Sequence, residues 1–158
     1  MEEQKNTSPF IIILSALVLG VLIMVGYKYK DSMIPETIET ATLNDTCDLR
    51  VGACTAQFPS GGEIRFSINP IDIHVLKPLT LQVKTKDLTA SSAYVNLVGI
   101  GMDMGSTHST LVKKNMSNFK GDLILPMCSE RKMYWEARVF LQTNKGLVVA
   151  PFRFYTIR

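Results

Sequence analysis

The sequence predicts an all-β fold, an immunoglobulin-like antiparallel β-sandwich preceded by one N-terminal transmembrane helix. A run of about 18 mostly apolar residues occupies positions 10–27, which is enough to span a membrane as one helix. After Cys47, short segments alternate apolar and polar residues with a period of two, and none has a helical period of useful length. Seven or eight short strands in about 110 residues are typical of such a sandwich.

The N-terminal region is predicted to anchor the chain. Residues 1–9 are a short polar tail, and the apolar run 10–27 follows it. No A-x-A-like cleavage site precedes Lys28, which favours a retained anchor over a cleaved signal peptide. Lys28 and Lys30 lie after the anchor, so the positive-inside count does not favour export of the C-terminus. Export is predicted instead because a cysteine-bearing β domain suits an oxidising space.

Two further segments follow the anchor. Residues 28–46 are polar and include Pro35, and we expect a linker without a fold of its own. Residues 47–158 are expected to form the β-sandwich domain. Trp135 shares a strand face with Met133 and is expected to be a core aromatic. The alternation predicts strands at 54–58, 64–68, 79–83, 93–104, 111–116, 119–127, 132–143 and 147–157.

Composition and motifs argue against two functional classes. The net charge is only +3, without a basic stripe or interleaved aromatics, so nucleic acid is not an expected partner. The sequence has no G-x-S-x-G, P-loop or H-E-x-x-H motif, and Gly99, Gly101 and Gly105 do not fit G-x-G-x-x-G. We therefore predict that the protein is not an enzyme and has no catalytic residues.

The three cysteines are Cys47, Cys54 and Cys128, an odd number that leaves at least one sulfur outside any intramolecular disulfide. None of them forms a C-x-x-C pair, so a thioredoxin-like redox function is not favoured. Cys54 falls on an inward-facing row, which predicts one disulfide that involves it. All three pairings stay open, because sequence spacing cannot supply the Cα approach that a disulfide needs.

A second cluster of soft donor atoms begins at Met102 and Met104. These residues are two apart, so in an extended strand both thioethers point the same way. Thioether, thiolate and imidazole groups together favour Cu(I) over Mg or Ca. The alternative is that the methionines fill irregular gaps in a β core. The candidate metal ligands are Met102, Met104, His108, Met127, Cys128 and Met133.

The run from Leu97 to Phe154 resembles the YtkA-like and FixH-like group of bacterial membrane-anchored extracytoplasmic domains. The resemblance rests on Gly-Met-Asp-Met-Gly and a following His, on Gly-Asp-Leu-Ile-Leu-Pro-Met-Cys, on Lys-Met-Tyr-Trp, and on Val-Val-Ala-Pro-Phe-Arg-Phe. The usual arrangement is M-x-M-x-x-H, whereas His108 lies four residues after Met104. The family resemblance implies a role in copper handling or in the assembly of haem-copper oxidases.

These observations lead to two expected functions. The first is a single-pass protein of the inner (cytoplasmic) membrane, anchored in the lipid bilayer through residues 10–27. Its periplasmic domain would assist copper handling or respiratory oxidase assembly, with Cu(I) as the expected cofactor. The second is a structural β-sandwich that docks onto a respiratory or other envelope complex without any metal.

Overall fold

The computed structural model describes residues 9–31, 37–102, 105–127 and 129–157. These residues contain one helix, α1 (Pro9–Asp31), and nine strands. The strands are β1 (Thr37–Thr40), β2 (Cys54–Gln57), β3 (Glu63–Asn69), β4 (Pro78–Lys86), β5 (Ala90–Ile100), β6 (Ser106–Asn115), β7 (Asn118–Ile124), β8 (Lys132–Thr143) and β9 (Leu147–Ile157).

Helix α1 begins at Pro9, which suits a first helical position because its backbone has no N–H to leave unpaired. The stretch Pro9–Tyr27 has 19 residues, a mean hydropathy of 2.7 and no buried positions. At a rise of 1.5 Å per residue it is about 28 Å long, close to the ~30 Å hydrocarbon thickness of a bilayer. The Ser15 hydroxyl donates to the Ile12 carbonyl at 2.8 Å, so this polar group is satisfied within the helix. The helix is therefore long enough and apolar enough to cross a membrane.

The strands are hydrogen-bonded in the order β1-β9-β8-β5-β6-β7-β4-β3-β2. All neighbouring strands are antiparallel except β1, which runs parallel to β9. Strand β6 joins two groups of strands, β1, β9, β8 and β5 on one side and β7, β4, β3 and β2 on the other. Residues 106–111 of β6 pair with β5, and residues from Val112 onward pair with β7.

Contacts between distant strands show that the sheet folds back on itself. Strands β9 and β3 are six steps apart in the hydrogen-bonded order, so a flat sheet would separate them by about 29 Å. Nevertheless the rings of Phe66 on β3 and Phe152 on β9 have centroids 5.3 Å apart. The two halves therefore pack face to face around one core. The all-β class is confirmed, whereas the immunoglobulin-like arrangement stays a prediction because β6 joins both halves into one continuous ladder.

Alternation places the core side chains as the sequence predicts. Along β8, every second residue from Met133 to Thr143 is buried. Trp135 is only 1% exposed, which confirms it as a core aromatic. Its indole N–H donates to the Thr156 hydroxyl at 3.0 Å, so the polar atom of this large side chain keeps a partner inside the core.

The folded unit begins earlier than the predicted boundary at residue 47. It comprises residues 36–158, so the second half of the predicted linker 28–46 is part of the fold. Strand β1 pairs with β9, and the Ala41 N–H donates to the Val149 carbonyl at 2.8 Å. Strand β1 is mostly exposed, so its residues show no apolar alternation that would reveal it. Its existence depends on a partner strand more than 100 residues later.

The strand predicted at 93–104 is shorter at its C-terminal end. Strand β5 ends at Ile100, and Gly101 follows with a φ of 88°, a left-handed conformation that suits glycine. The chain reverses here, and β6 begins at Ser106. Met102 therefore lies in the β5–β6 connection and is not part of a regular strand. The prediction that the Met102 and Met104 thioethers share a face assumed a continuous strand, and strand alternation does not apply at Met102.

Candidate functional site

Two of the six predicted metal ligands, Met104 and Cys128, lie outside the described residues. The remaining four do not all lie together. Met102 and Met133 face the core, His108 lies on an exposed strand face, and Met127 lies in the loop after β7. The structure therefore does not bring all four of these described residues to one place.

The Met133 side chain and the Met102 backbone carbonyl both lie beside Gly99. Met133 is 4% exposed, and Met102 is partly buried and packs against the core. A Cβ built at Gly99 would collide with the Met133 Cε and lie 3.0 Å from the Met102 carbonyl oxygen. A side chain at position 99 would therefore displace the Met133 methyl group and crowd the Met102 carbonyl.

His108 lies on the other face of the sheet from Met133. It is exposed on β6 and is directly opposite Asn96 of β5. Along β5, residues 93, 95 and 97 are buried, so Asn96 and its cross-strand neighbour His108 point away from the core. Met133 is buried on β8, so the His108 imidazole and the Met133 thioether are not placed to bind one ion.

Met127 is half exposed and lies in the segment that follows β7. Within the described ranges, no group of three or more His, Cys, Asp or Glu side chains is placed to hold a metal ion. The ligand set proposed from the sequence stays a prediction.

The structure selects one of the three possible disulfides, Cys47–Cys54, with Cα atoms 5.8 Å apart. It encloses a turn in which Leu49 is fully buried and the Asp48 carboxylate accepts the Arg50 backbone N–H at 2.9 Å. A disulfide that involves Cys54 is thus confirmed. Of the three pairings that the sequence left open, the structure shows the one in which Cys54 binds its near neighbour in sequence. Cys128 is left outside this bond.

Sequence reasoning missed an aromatic surface at the C-terminal end of β9. Tyr134 of β8 lies directly opposite Ile100 of β5 on one side and Tyr155 of β9 on the other. The tyrosine rings have centroids 6.1 Å apart. Ile157 lies two residues beyond Tyr155 and shares its face. We call Ile100, Tyr134, Tyr155 and Ile157 the aromatic patch.

Two cations lie on this patch. The Arg50 guanidinium is 4.3 Å from the centroid of the Tyr155 ring, and the Lys132 ammonium is 4.2 Å from the same centroid. Lys132 also lies 4.9 Å from the Tyr134 centroid. A side-chain hydrogen bond with Tyr134 raises the pKa of Lys132, while the charge of Arg50 acts to lower it. The Lys132 ammonium thus stays charged at neutral pH.

An ion-pair network lies beside the patch on the same sheet face. Burial acts to raise the pKa of Glu136, but hydrogen bonds from Arg138 and Arg153 lower it, and the net shift is downward. The Arg138 Nε is 2.8 Å from one carboxylate oxygen, and an Arg153 nitrogen is 3.2 Å from the other. Arg153 also lies 3.5 Å from Asp45. These arginines are therefore neutralised locally, unlike Arg50 and Lys132.

The alternation of Lys132 and Tyr134 opposite Met133 and Trp135 is visible in the sequence. What it does not reveal is that Tyr155 lies beside Tyr134, because this depends on the β8–β9 register. No family model, curated protein or solved structure matches the chain. The resemblance to YtkA-like and FixH-like domains therefore stays a prediction.

Proposed function

We propose that the chain is a single-pass protein of the inner membrane whose β domain lies in the periplasm and docks onto a membrane-protein complex. In this proposal α1 is a retained anchor, and the domain acts as an accessory module without catalysing a reaction. The respiratory complexes suggested by the family resemblance are the first candidates for the partner.

The observation that carries the docking proposal is the aromatic patch. Ile100 is 39% exposed, Tyr134 49% and Ile157 55%, and their strands place them side by side on one face. Contiguous exposed apolar side chains often mark interaction sites, whereas single ones are ordinary. Tyrosine and arginine are also enriched in protein interfaces. This combination supports a protein-binding surface.

The disulfide supports the location. Structural disulfides persist in oxidising compartments and are rare in a reducing cytosol. A chain with an apolar helix at Pro9–Tyr27 and a Cys47–Cys54 bond is consistent with a domain carried across a membrane. C-terminal fusions to alkaline phosphatase and to green fluorescent protein test this, because each is active on one side only. A fluorescent, phosphatase-negative result would reverse the topology, and a mature N-terminus near residue 28 would remove the anchor.

Site-specific photo-cross-linking in living cells tests the docking itself. A photoreactive phenylalanine analogue replaces Ile157 in the patch, and a matched chain carries it at Thr55, an exposed residue of β2. We expect a discrete adduct with one membrane protein from position 157 and none from position 55. Equal adducts from both positions, or none from 157, would show that the patch is not a docking surface.

Copper handling is the second candidate, because the Met133 methyl group and the Met102 backbone carbonyl both lie beside Gly99, and the Met102 side chain packs against the core that contains Met133. The full chain in detergent micelles is titrated with Cu(I) against a competing chelator, with Zn(II) in parallel. Met102→Leu with Met104→Leu nearly conserves side-chain volume and should cost under about 1.5 kcal/mol per site. Met116→Leu is the control, because Met116 is 81% exposed in the β6–β7 hairpin. Unchanged Cu(I) affinity in the double variant would leave these methionines as packing residues alone.

A further inference from the structure

The two cations on the aromatic patch are close to each other. Arg50 and Lys132 both lie against the Tyr155 ring, at 4.3 and 4.2 Å from its centroid. Their charges are therefore within roughly 9 Å of each other, about one Debye length at 0.1 M salt. The two like charges repel each other at this distance, so both are available to an anionic group that binds between them.

Neither cation has an acidic partner within the part of the chain that the structure describes. The ion pairs found there, with N–O distances of at most 4.0 Å, involve His74, Lys86, Arg138 and Arg153. The nearest acidic neighbour of Arg50 in sequence is Asp48. Its carboxylate accepts the Arg50 backbone N–H, while the guanidinium lies over Tyr155.

The surroundings of the cations are apolar. Ile100 and Ile157 border the tyrosines, so the two positive charges are surrounded by aliphatic and aromatic side chains. A surface of this composition suits a ligand that carries both carboxylates and apolar side chains. Tyrosine and arginine are residues that contribute strongly at the centres of protein interfaces.

We propose that the aromatic patch, with Arg50 and Lys132, binds an acidic, partly apolar segment of a partner protein. Carboxylates of that segment pair with the two cations, and its apolar side chains cover Ile100 and Ile157. This inference rests on the docking function proposed above and names the chemistry of the partner. Electrostatic complementarity of this kind mainly accelerates association and selects against basic partners.

A direct binding measurement tests the proposal with the full chain in phosphatidylcholine nanodiscs. The probe is a fluorescein-labelled octapeptide of alternating glutamate and leucine, compared with its glutamine and leucine counterpart by fluorescence anisotropy. We expect the glutamate probe to bind about tenfold more tightly, since two exposed ion pairs together contribute on this order. Its affinity should fall as the salt concentration rises.

Charge-removing variants locate the binding site. Arg50→Gln with Lys132→Gln should weaken binding of the glutamate probe by about tenfold. Lys114→Gln with Lys120→Gln removes the same charge from exposed positions of β6 and β7 and should leave binding unchanged. Fluorescence of Trp135, the single tryptophan, reports that each variant is folded.

Three outcomes overturn the proposal: equal binding of both probes, equal losses in both double variants, and patch-dependent binding to phosphatidylglycerol nanodiscs without peptide binding. The last would assign the patch to an anionic lipid surface. A discrete cross-link from position 157 combined with no binding of the glutamate probe would leave the docking function in place and remove only the acidic partner. The absence of both the cross-link and the probe binding would overturn the docking function and the acidic partner together.

Discussion

The hydrogen bond between Trp135 and Thr156 gives a prediction whose size follows from the structure. Thr156 is 4% exposed, and its hydroxyl accepts the indole N–H at 3.0 Å. Thr156→Val keeps the branched shape but leaves the buried N–H without this acceptor, which costs about 1–3 kcal/mol. The methyl group that replaces the hydroxyl is buried and stabilises the fold by roughly 0.8 kcal/mol. The free energy of unfolding should therefore fall by about 1 kcal/mol.

Urea unfolding of the full chain in detergent micelles measures this change. Trp135 is the single tryptophan, so its fluorescence reports on the β domain alone. With a denaturant slope of roughly 1–3 kcal/mol per molar urea, the midpoint should fall by about 0.5 M with the slope unchanged. Thr110→Val, at an exposed position of β6, should change the unfolding free energy by less than about 0.5 kcal/mol.

A second background isolates the hydrogen bond from other effects of the substitution. Trp135→Phe removes the indole N–H, so Thr156→Val made in that chain should no longer be destabilising. Circular dichroism replaces fluorescence as the probe there. If Thr156→Val costs the same with Phe as with Trp at position 135, or if the single variant has an unchanged midpoint, the hydrogen bond does not stabilise the core.

Three further predictions concern a disulfide, an ion-pair network and a glycine. Cys47→Ser with Cys54→Ser should lower the unfolding free energy by about 2–3 kcal/mol, because the bond closes a short loop; urea unfolding measures this. Thiol counting on the oxidised, denatured parent should find one reactive group. The pKa of Glu136 is below its ordinary value in the folded protein. The ionised carboxylate therefore stabilises the fold fully above the ordinary pKa, and this stabilisation is lost as pH falls through the lowered pKa. In Glu136→Gln, the urea midpoint should decline less steeply as the pH falls. Gly99→Val should destabilise the fold by about 1–3 kcal/mol through overpacking.

Each of these has a contradicting result. Three reactive thiols would show that the Cys47–Cys54 bond does not form. If the urea midpoint declines equally with falling pH in the parent and in Glu136→Gln, the arginine hydrogen bonds do not favour the ionised carboxylate. A Gly99→Val chain with the stability of the parent would show that the Met133 methyl group moves aside freely, which would leave room for another group at that position.

Much of the fold follows from local pattern in the sequence. The apolar run predicts α1. Strands β8 and β9 match their predicted bounds, because β8 alternates along its whole length and β9 alternates from Ala150 onward. The burial of Trp135 follows from the same alternation. These are properties of one strand at a time, so they need no knowledge of its neighbours.

Tertiary structure alone decided which residues meet. The sequence required that at least one of the three cysteines lie outside any intramolecular disulfide, but the approach of Cys47 to Cys54 depends on the turn between them. His108 was grouped with Met133 because both side chains carry donor atoms that suit Cu(I), yet strand pairing places them on opposite faces. Strand β1 and the Tyr134–Tyr155 contact both depend on β9, which lies at the far end of the chain. Register and parallel pairing are set by packing over long sequence separations, and a period of two carries no information about them.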